Sequence, residues 1–211
     1  MYQWYEPVRK AIGEVLDPSK LANVILLHFE DDECGGMQPF VDGAPGSELV
    51  CSELSVVIGL GGWDFRGPVR GMKDGETLEL GRHTLRFLET PHVHHWDSMM
   101  IFEETTKSIF PADLFLQPGD QPPIVHEDLT SQMIGVYREV GIFAHEDPVR
   151  KVVDRIEALE PEWIHAMHGG TLVKEIAPRY YTALREKEFA FQGKLLGREI
   201  PVGATVPVAA S

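Results

Sequence analysis

Val24-Ile25-Leu26-Leu27-His28-Phe29-Glu30-Asp31-Asp32-Glu33-Cys34-Gly35-Gly36 joins an apolar run of strand length to a cluster of metal-type side chains. A run without alternation reads as a strand buried on both faces. His28, Glu30, Asp32 and Glu33 follow on the loop at its carboxyl end, where ligands collect in open α/β sheets. Carboxylates packed at the end of a buried strand repel one another and resist desolvation. A cation resolves that conflict; a solvated acidic loop is the simpler alternative. If the loop stays extended, His28, Glu30 and Asp32 point to one side and Asp31 faces away.

The bulk numbers narrow the classes. The 211 residues suffice for one domain with a sizeable core.

 No internal repeat and no linker is visible, so residues 1–192 read as a single domain and 193–211 as a C-terminal tail or arm. Thirty-three acids against 19 bases give a net charge of −14, which disfavours nucleic acid or an anionic membrane as partner. Two cysteines, Cys34 and Cys51, make no disulfide framework, which points to a reducing cytoplasm. The amino-terminal residues lack the apolar stretch of a signal peptide, and no run approaches the ~20 residues of a membrane span.

Along the chain, residues 3–16 read as a helix, 23–28 as the strand above, and Glu48 to Ser52 as a second strand. Gly59 to Trp63 reads as a flexible loop without nucleotide-binding spacing. Residues 69–90 read as a β-meander, with further strands at Met99 to Phe102, Ser108 to Phe110 and Glu162 to Ala166. Helices are expected over 129–143, 148–159 and 174–190, and a proline-rich loop over 116–127.

Four predicted strands end in metal-type residues, after Leu27, Thr90, Phe110 and Ile164. Alternating strands and helices bring such ends to one edge of a sheet. The candidate ligands are His28, Glu30, Asp32, Glu33, His94, Asp113 and His168, enough for two metals with one bridging carboxylate. A set rich in carboxylates is harder than a zinc hydrolase site, which favours iron and leaves manganese and zinc open. His92 and His95 crowd the same loop as His94 and are the candidates for a proton donor. Cys34 reads as a small buried hydrophobe.

At these residues the chain resembles the metallo-β-lactamase superfamily, in its flavodiiron and oxygen-binding diiron branch. The branch motif HxExDH is similar to His28-Phe29-Glu30-Asp31-Asp32-Glu33, with Glu30 where the hydrolases carry His. A TPxxHWPDSM-like motif is similar to Thr90-Pro91-His92-Val93-His94-His95-Trp96-Asp97-Ser98-Met99 and selects His94. Asp113, 19 positions beyond His94, matches the bridging Asp, and His168-Gly169 matches the last ligand. The resemblance implies an α/β (α+β) fold, the αβ/βα sandwich, and two metal ions, iron first, that bind or reduce O₂ or NO.

Three departures qualify it. Glu33 stands where the branch has His, which makes the second metal position more anionic. Only 27 residues precede His28, so some N-terminal strands of the sandwich are expected to be lacking. An uncovered edge invites pairing, so a homodimer is expected. No flavodoxin domain follows, so FMN is not expected in this chain, and turnover would need an external electron donor, or a signalling partner in its place. The alternatives are a metal-dependent hydrolase of the superfamily, in which two metals activate a hydroxide, and a non-catalytic metal-binding module.

Overall fold

The computed structural model describes residues 4–199. Helix α1 (Tyr5–Gly13) is shorter than the predicted 3–16 and buries no side chain. Glu6 in its first turn and Lys10 in its last suit the helix dipole. Strand β1 (Asn23–Ile25) follows, then two short helices, α2 (Asp31–Cys34) and α3 (Met37–Asp42). Strand β2 (Glu48–Ser52) lies parallel to β1, with Asn23 opposite Glu48 and Ile25 opposite Val50. Strand β3 (Val69–Met72) pairs parallel to β2 and completes a three-stranded sheet. Parallel neighbours need crossover connections, and α2 with α3 supply the first.

The second sheet starts with β4 (Thr77–Leu80), β5 (His83–Glu89), β6 (Met99–Glu103) and β7 (Ser108–Phe110), each antiparallel to the last. Strand β8 (Ile124–Val125) and helices α4 (Thr130–Val140) and α5 (Glu146–Ala158) come next. They lead to β9 (Trp163–His165), β10 (Thr171–Val173) and α6 (Ala177–Glu186). The seven strands run in the order β4-β5-β6-β7-β9-β10-β8. A hairpin, β11 (Lys194–Leu195) with β12 (Arg198–Glu199), ends the described chain.

Alternation along β5 and β6 sends side chains to both faces of this sheet. Leu88, Met100, Phe102 and Ile109 join Met133, Tyr137, Val153 and Tyr180 of the helices in the larger core. Leu85, Phe87, Met99 and Ile101 pack instead on Leu27, Val50 and Met72 of the small sheet. Leu26, Cys34, Met37 and Leu49 fill the space under α2 and α3. The layers are therefore helix, sheet, sheet, helix, as the αβ/βα expectation required. Each fully buried large apolar side chain contributes roughly 1.5–3 kcal/mol to holding the layers together.

Several expectations are corrected. Asn23, Val24 and Ile25 are only half-buried, because β1 sits at a sheet edge; full burial begins at Leu26 and Leu27. Residues 69–72 leave the meander and join the small sheet. Gly59 to Trp63 is helical rather than a loose loop, since residues 55–63 form two consecutive helical turns. Residues 194–199, read as part of a loose tail, form a hairpin, and the Leu196 N–H bonds the Glu139 carbonyl of α4 at 2.7 Å. The rest of that tail, 200–211, lies outside the described residues. Strands β8 and β10 were not foreseen. Among the described residues no helix is long and apolar enough to cross a membrane.

Candidate metal centre

Strand β1 delivers His28 to the seam between the two sheets. The Leu27 carbonyl accepts from the Met99 N–H at 2.8 Å, tying the end of β1 to the start of β6. His28 is then 1% exposed. Glu30 keeps an extended backbone (φ −121°, ψ 141°), after which α2 makes a single turn. The N–H groups of Glu33 and Cys34 both bond the Glu30 carbonyl, at 3.1 and 2.8 Å. The turn corrects the extended-loop expectation: it rotates Glu33 inward, where its side chain is 4% exposed, and leaves Asp32 at the rim, 42% exposed. Cys34 packs beneath the turn, and burial pushes its thiol up to about 11, so it behaves as the expected hydrophobe.

The loop from Thr90 to Ser98 closes on itself. The His92 N–H bonds the His95 carbonyl at 2.8 Å, and the Thr90 N–H bonds the Ser98 carbonyl at 2.9 Å. Val93, wholly buried, anchors it, and His94 emerges beside Phe143 with ring centres 6.1 Å apart. Beyond β7, the buried Tyr137 hydroxyl donates to the Asp113 carbonyl at 3.2 Å and so fixes that backbone. His168 follows β9, and its carbonyl accepts from the Gln117 N–H at 2.8 Å. The Gln117 side chain accepts from the Gly170 N–H at 3.1 Å and donates to the Phe115 carbonyl at 3.0 Å. Gly169 has φ +123°, and a Cβ there would meet Gln117 at 2.8 Å. Both the backbone angle and the close approach require glycine.

These elements bring six of the seven predicted ligands together. Asp113 Oδ2 lies 3.2 Å from His28 Nε2 and 2.7 Å from His94 Nε2. Glu30 Oε2 approaches the same two nitrogens at 3.2 and 3.0 Å. Asp113 Oδ1 turns to the other side, 3.2 Å from His168 Nε2. His28, Glu30, His94 and Asp113 thus form one donor group, and Glu33, Asp113 and His168 a second. Asp32 stands at the margin of the second, 3.6 Å from His168.

The electrostatics are those of an unsatisfied site. Burial opposes the charged form of His28, yet the hydrogen bond to Asp113 and the charges of Glu33 and Asp113 outweigh it and raise the imidazole to about 9. Burial, then the Asp113 charge, pushes Glu33 up to about 8. Asp113 is held well below the usual carboxylate range: burial works against this, but the close approach of the His168, His28 and His94 imidazoles prevails. His28 Nδ1, both Glu33 carboxyl oxygens and Asp113 Oδ1 are buried without a hydrogen-bond partner. Buried polar atoms are rarely left so. Convergent carboxylates and imidazoles with spare lone pairs fit divalent cations, and the mixed oxygen and nitrogen set suits iron or manganese as well as zinc.

His92 and His95 fall outside both donor groups. His92 is exposed and lines a cavity of about 410 Å³ with His94, Ile142 and His145. The His95 ring lies 5.9 Å from that of His28, and its Nδ1 bonds buried Asp97. Asp97 in turn accepts from the Ser55 hydroxyl at 2.6 Å, which contacts the Ser52 hydroxyl at 2.7 Å. Sequence reasoning missed this chain and missed Gln117 and Tyr137. Asp97 carried a signal, through its place in the motif; Ser52, Ser55, Gln117 and Tyr137 carried none.

A family described as "ODP family beta lactamase" matches residues 2–169. The rubredoxin-oxygen oxidoreductase of Megalodesulfovibrio gigas is 30% identical over 107 residues, covering 50% of this chain and 27% of that protein. The solved rubredoxin oxygen:oxidoreductase of Desulfovibrio gigas superposes with a TM-score of 0.79 at 22% identity, over 87% of this chain and 48% of that one. A chemotaxis sensor ODP, solved as a peroxy diiron species, does so with a TM-score of 0.75 at 17% identity, over 88% and 79%. The chain spans less than half the length of the curated relatives it matches. With a matching family over most of its length and the expected sandwich fold, the chain belongs to the ODP family of β-lactamase-fold proteins.

Proposed function

We propose that the chain holds two metal ions, iron in the first place, and binds O₂ or NO there. The observation that carries this reading is the division of Asp113, whose two carboxylate oxygens face two different donor groups. His28, Glu30 and His94 would hold one ion, and Asp32, Glu33 and His168 the other. A ferrous pair held there would supply binding positions for a diatomic gas and pass on electrons for its reduction. Glu30, an anionic oxygen donor in place of an imidazole, favours this chemistry over hydrolysis. Phe143 packs edge-on against His94 on one side, and the cavity shared with His92 opens on another. His95, oriented through Asp97, and His92, at the mouth of the cavity beside His94, would hold the protons that reduction consumes.

Electrons would come from an external donor; without one, the chain would act as a gas-binding sensor toward a signalling partner. The relatives named as oxidoreductases support the first role, and the one named as a chemotaxis sensor supports the second. Elemental analysis of protein purified anaerobically tests the proposal. Two iron atoms per chain are expected; zinc alone would instead promote the hydrolase reading.

A further inference from the structure

Among the described residues, one series of touching rings runs from the donor groups to the surface. The His28 and His95 ring centres lie 5.9 Å apart with the planes 35° from parallel. The His95 and Trp96 centres lie 5.7 Å apart with the planes 36° from parallel. Both separations are those of rings in contact. Trp96 is 37% exposed. The series on the other side, from His94 through Phe143 and Tyr137 to Phe189, ends in the buried core. Trp63 meets Phe29 at 6.0 Å, but Phe29 carries no donor atom.

Asp97 fixes the middle ring of the series. One oxygen of its buried carboxylate bonds His95 Nδ1, and the other accepts from the Ser55 hydroxyl at 2.6 Å. The Ser55 N–H donates in turn to the Ser52 hydroxyl, at the end of β2, at 3.0 Å. The turn that carries Ser55 also exposes Leu54, Val57 and Ile58, and Val57 is 75% exposed. Leu54, Pro91 and Trp96 line one shallow depression. Contiguous exposed apolar side chains of this kind mark interaction sites. Exposed Glu89 lines the same depression, on a chain whose net charge is −14.

We propose that Trp96 is the entry point for electrons from an external carrier, and that His95 passes them to His28. The inference rests on the two-iron reading above. Each electron leaves the carrier, which is oxidised by one unit, and arrives on an ion held at His28, which is reduced by one unit. No bond in the rings is made or broken, and no proton travels with the electron. Touching rings shorten the gap that each electron must tunnel across. The carrier is a protein whose one-electron cofactor is exposed within an apolar patch ringed by basic side chains. That is the complement of an apolar turn on an acidic chain.

Methyl viologen, a planar cationic one-electron carrier, is the probe. With metal-free protein, the oxidised dication is expected to quench tryptophan fluorescence. The steepest component of that quenching should vanish in W96L, weaken in V57K and persist in W163L. With ferric-loaded protein, reduction by the viologen radical is followed by stopped-flow absorbance. W96L and V57K should each slow it about tenfold, while W96F stays near wild type, which separates a need for the ring from a loss of packing. Reduction by dithionite, a small anion that can reach the half-exposed Glu30 side directly, should be unchanged in all three. Quenching or viologen reduction unaltered in W96L, or a W96F as slow as W96L, would overturn the proposal. Wild-type protein that loads no iron would overturn the two-iron reading and this inference with it.

Discussion

His168 Nε2 lies 3.2 Å from Oδ1 of Asp113, the carboxylate oxygen turned away from His28 and His94. One side chain therefore serves two donor groups. Asp113→Ala is expected to empty both positions, and metal content should fall from two per chain to near zero. Loss of a single metal would remove the bridging role.

Glu33 groups with Asp113 and His168, and its Oε2 also lies 3.1 Å from His28 Nε2. Glu33→Ala is expected to cut metal content from two per chain to one, with the ion between His28 and His94 retained. Elemental analysis of wild type and variant, loaded side by side, checks this. Unchanged content would assign Glu33 to a neighbouring role, with Asp32 as the ligand.

Gln117 holds the turn that presents His168. Gln117→Leu leaves the Gly170 N–H buried without its acceptor, at a cost of about 1–3 kcal/mol. The denaturation midpoint should drop accordingly. Metal at the second position should also bind more weakly, because the turn that follows His168 loses its side-chain hold at Gly170 while all the donors remain.

Outside both donor groups, Glu103 accepts from the Thr105 and Thr106 N–H groups at 2.9 and 2.7 Å and contacts His83 Nδ1 at 3.1 Å. Burial favours its protonated form, but these bonds prevail and hold the carboxyl well below the usual range. A depressed acid contributes stability that is present above the unfolded value, ~4.3, and is lost as pH falls toward the folded value. Glu103→Gln is therefore expected to destabilise the protein at pH 7, with the gap to wild type closing between pH 5 and about pH 2. Urea midpoints across that range give the curve.

The candidate donors were legible because short apolar runs end in metal-type residues and because the motifs around His28, His94, Asp113 and His168 resemble those of the flavodiiron branch. The turn that brings in Glu33 was not, because three successive acids read as an extended loop while the helix dipole stabilises them at an N-terminus. Residues 69–72 were assigned to the meander because local pattern cannot say which sheet a strand joins. Gln117 and Tyr137 act through the backbone of distant residues, and nothing in their own neighbourhoods marks them. The hairpin at 194–199 takes its place from packing on α4, with Leu195 and Phe191 against Gly141, a contact that local composition does not announce.

The central claim is a two-iron site that takes up a diatomic gas. Its most direct test is anaerobic reconstitution with ferrous iron followed by titration with O₂ under an oxygen electrode and a spectrophotometer. The account predicts uptake of one O₂ per two irons together with a new absorption band, both absent in Asp113→Ala. Iron-loaded protein that takes up no O₂ and keeps its spectrum unchanged would contradict it.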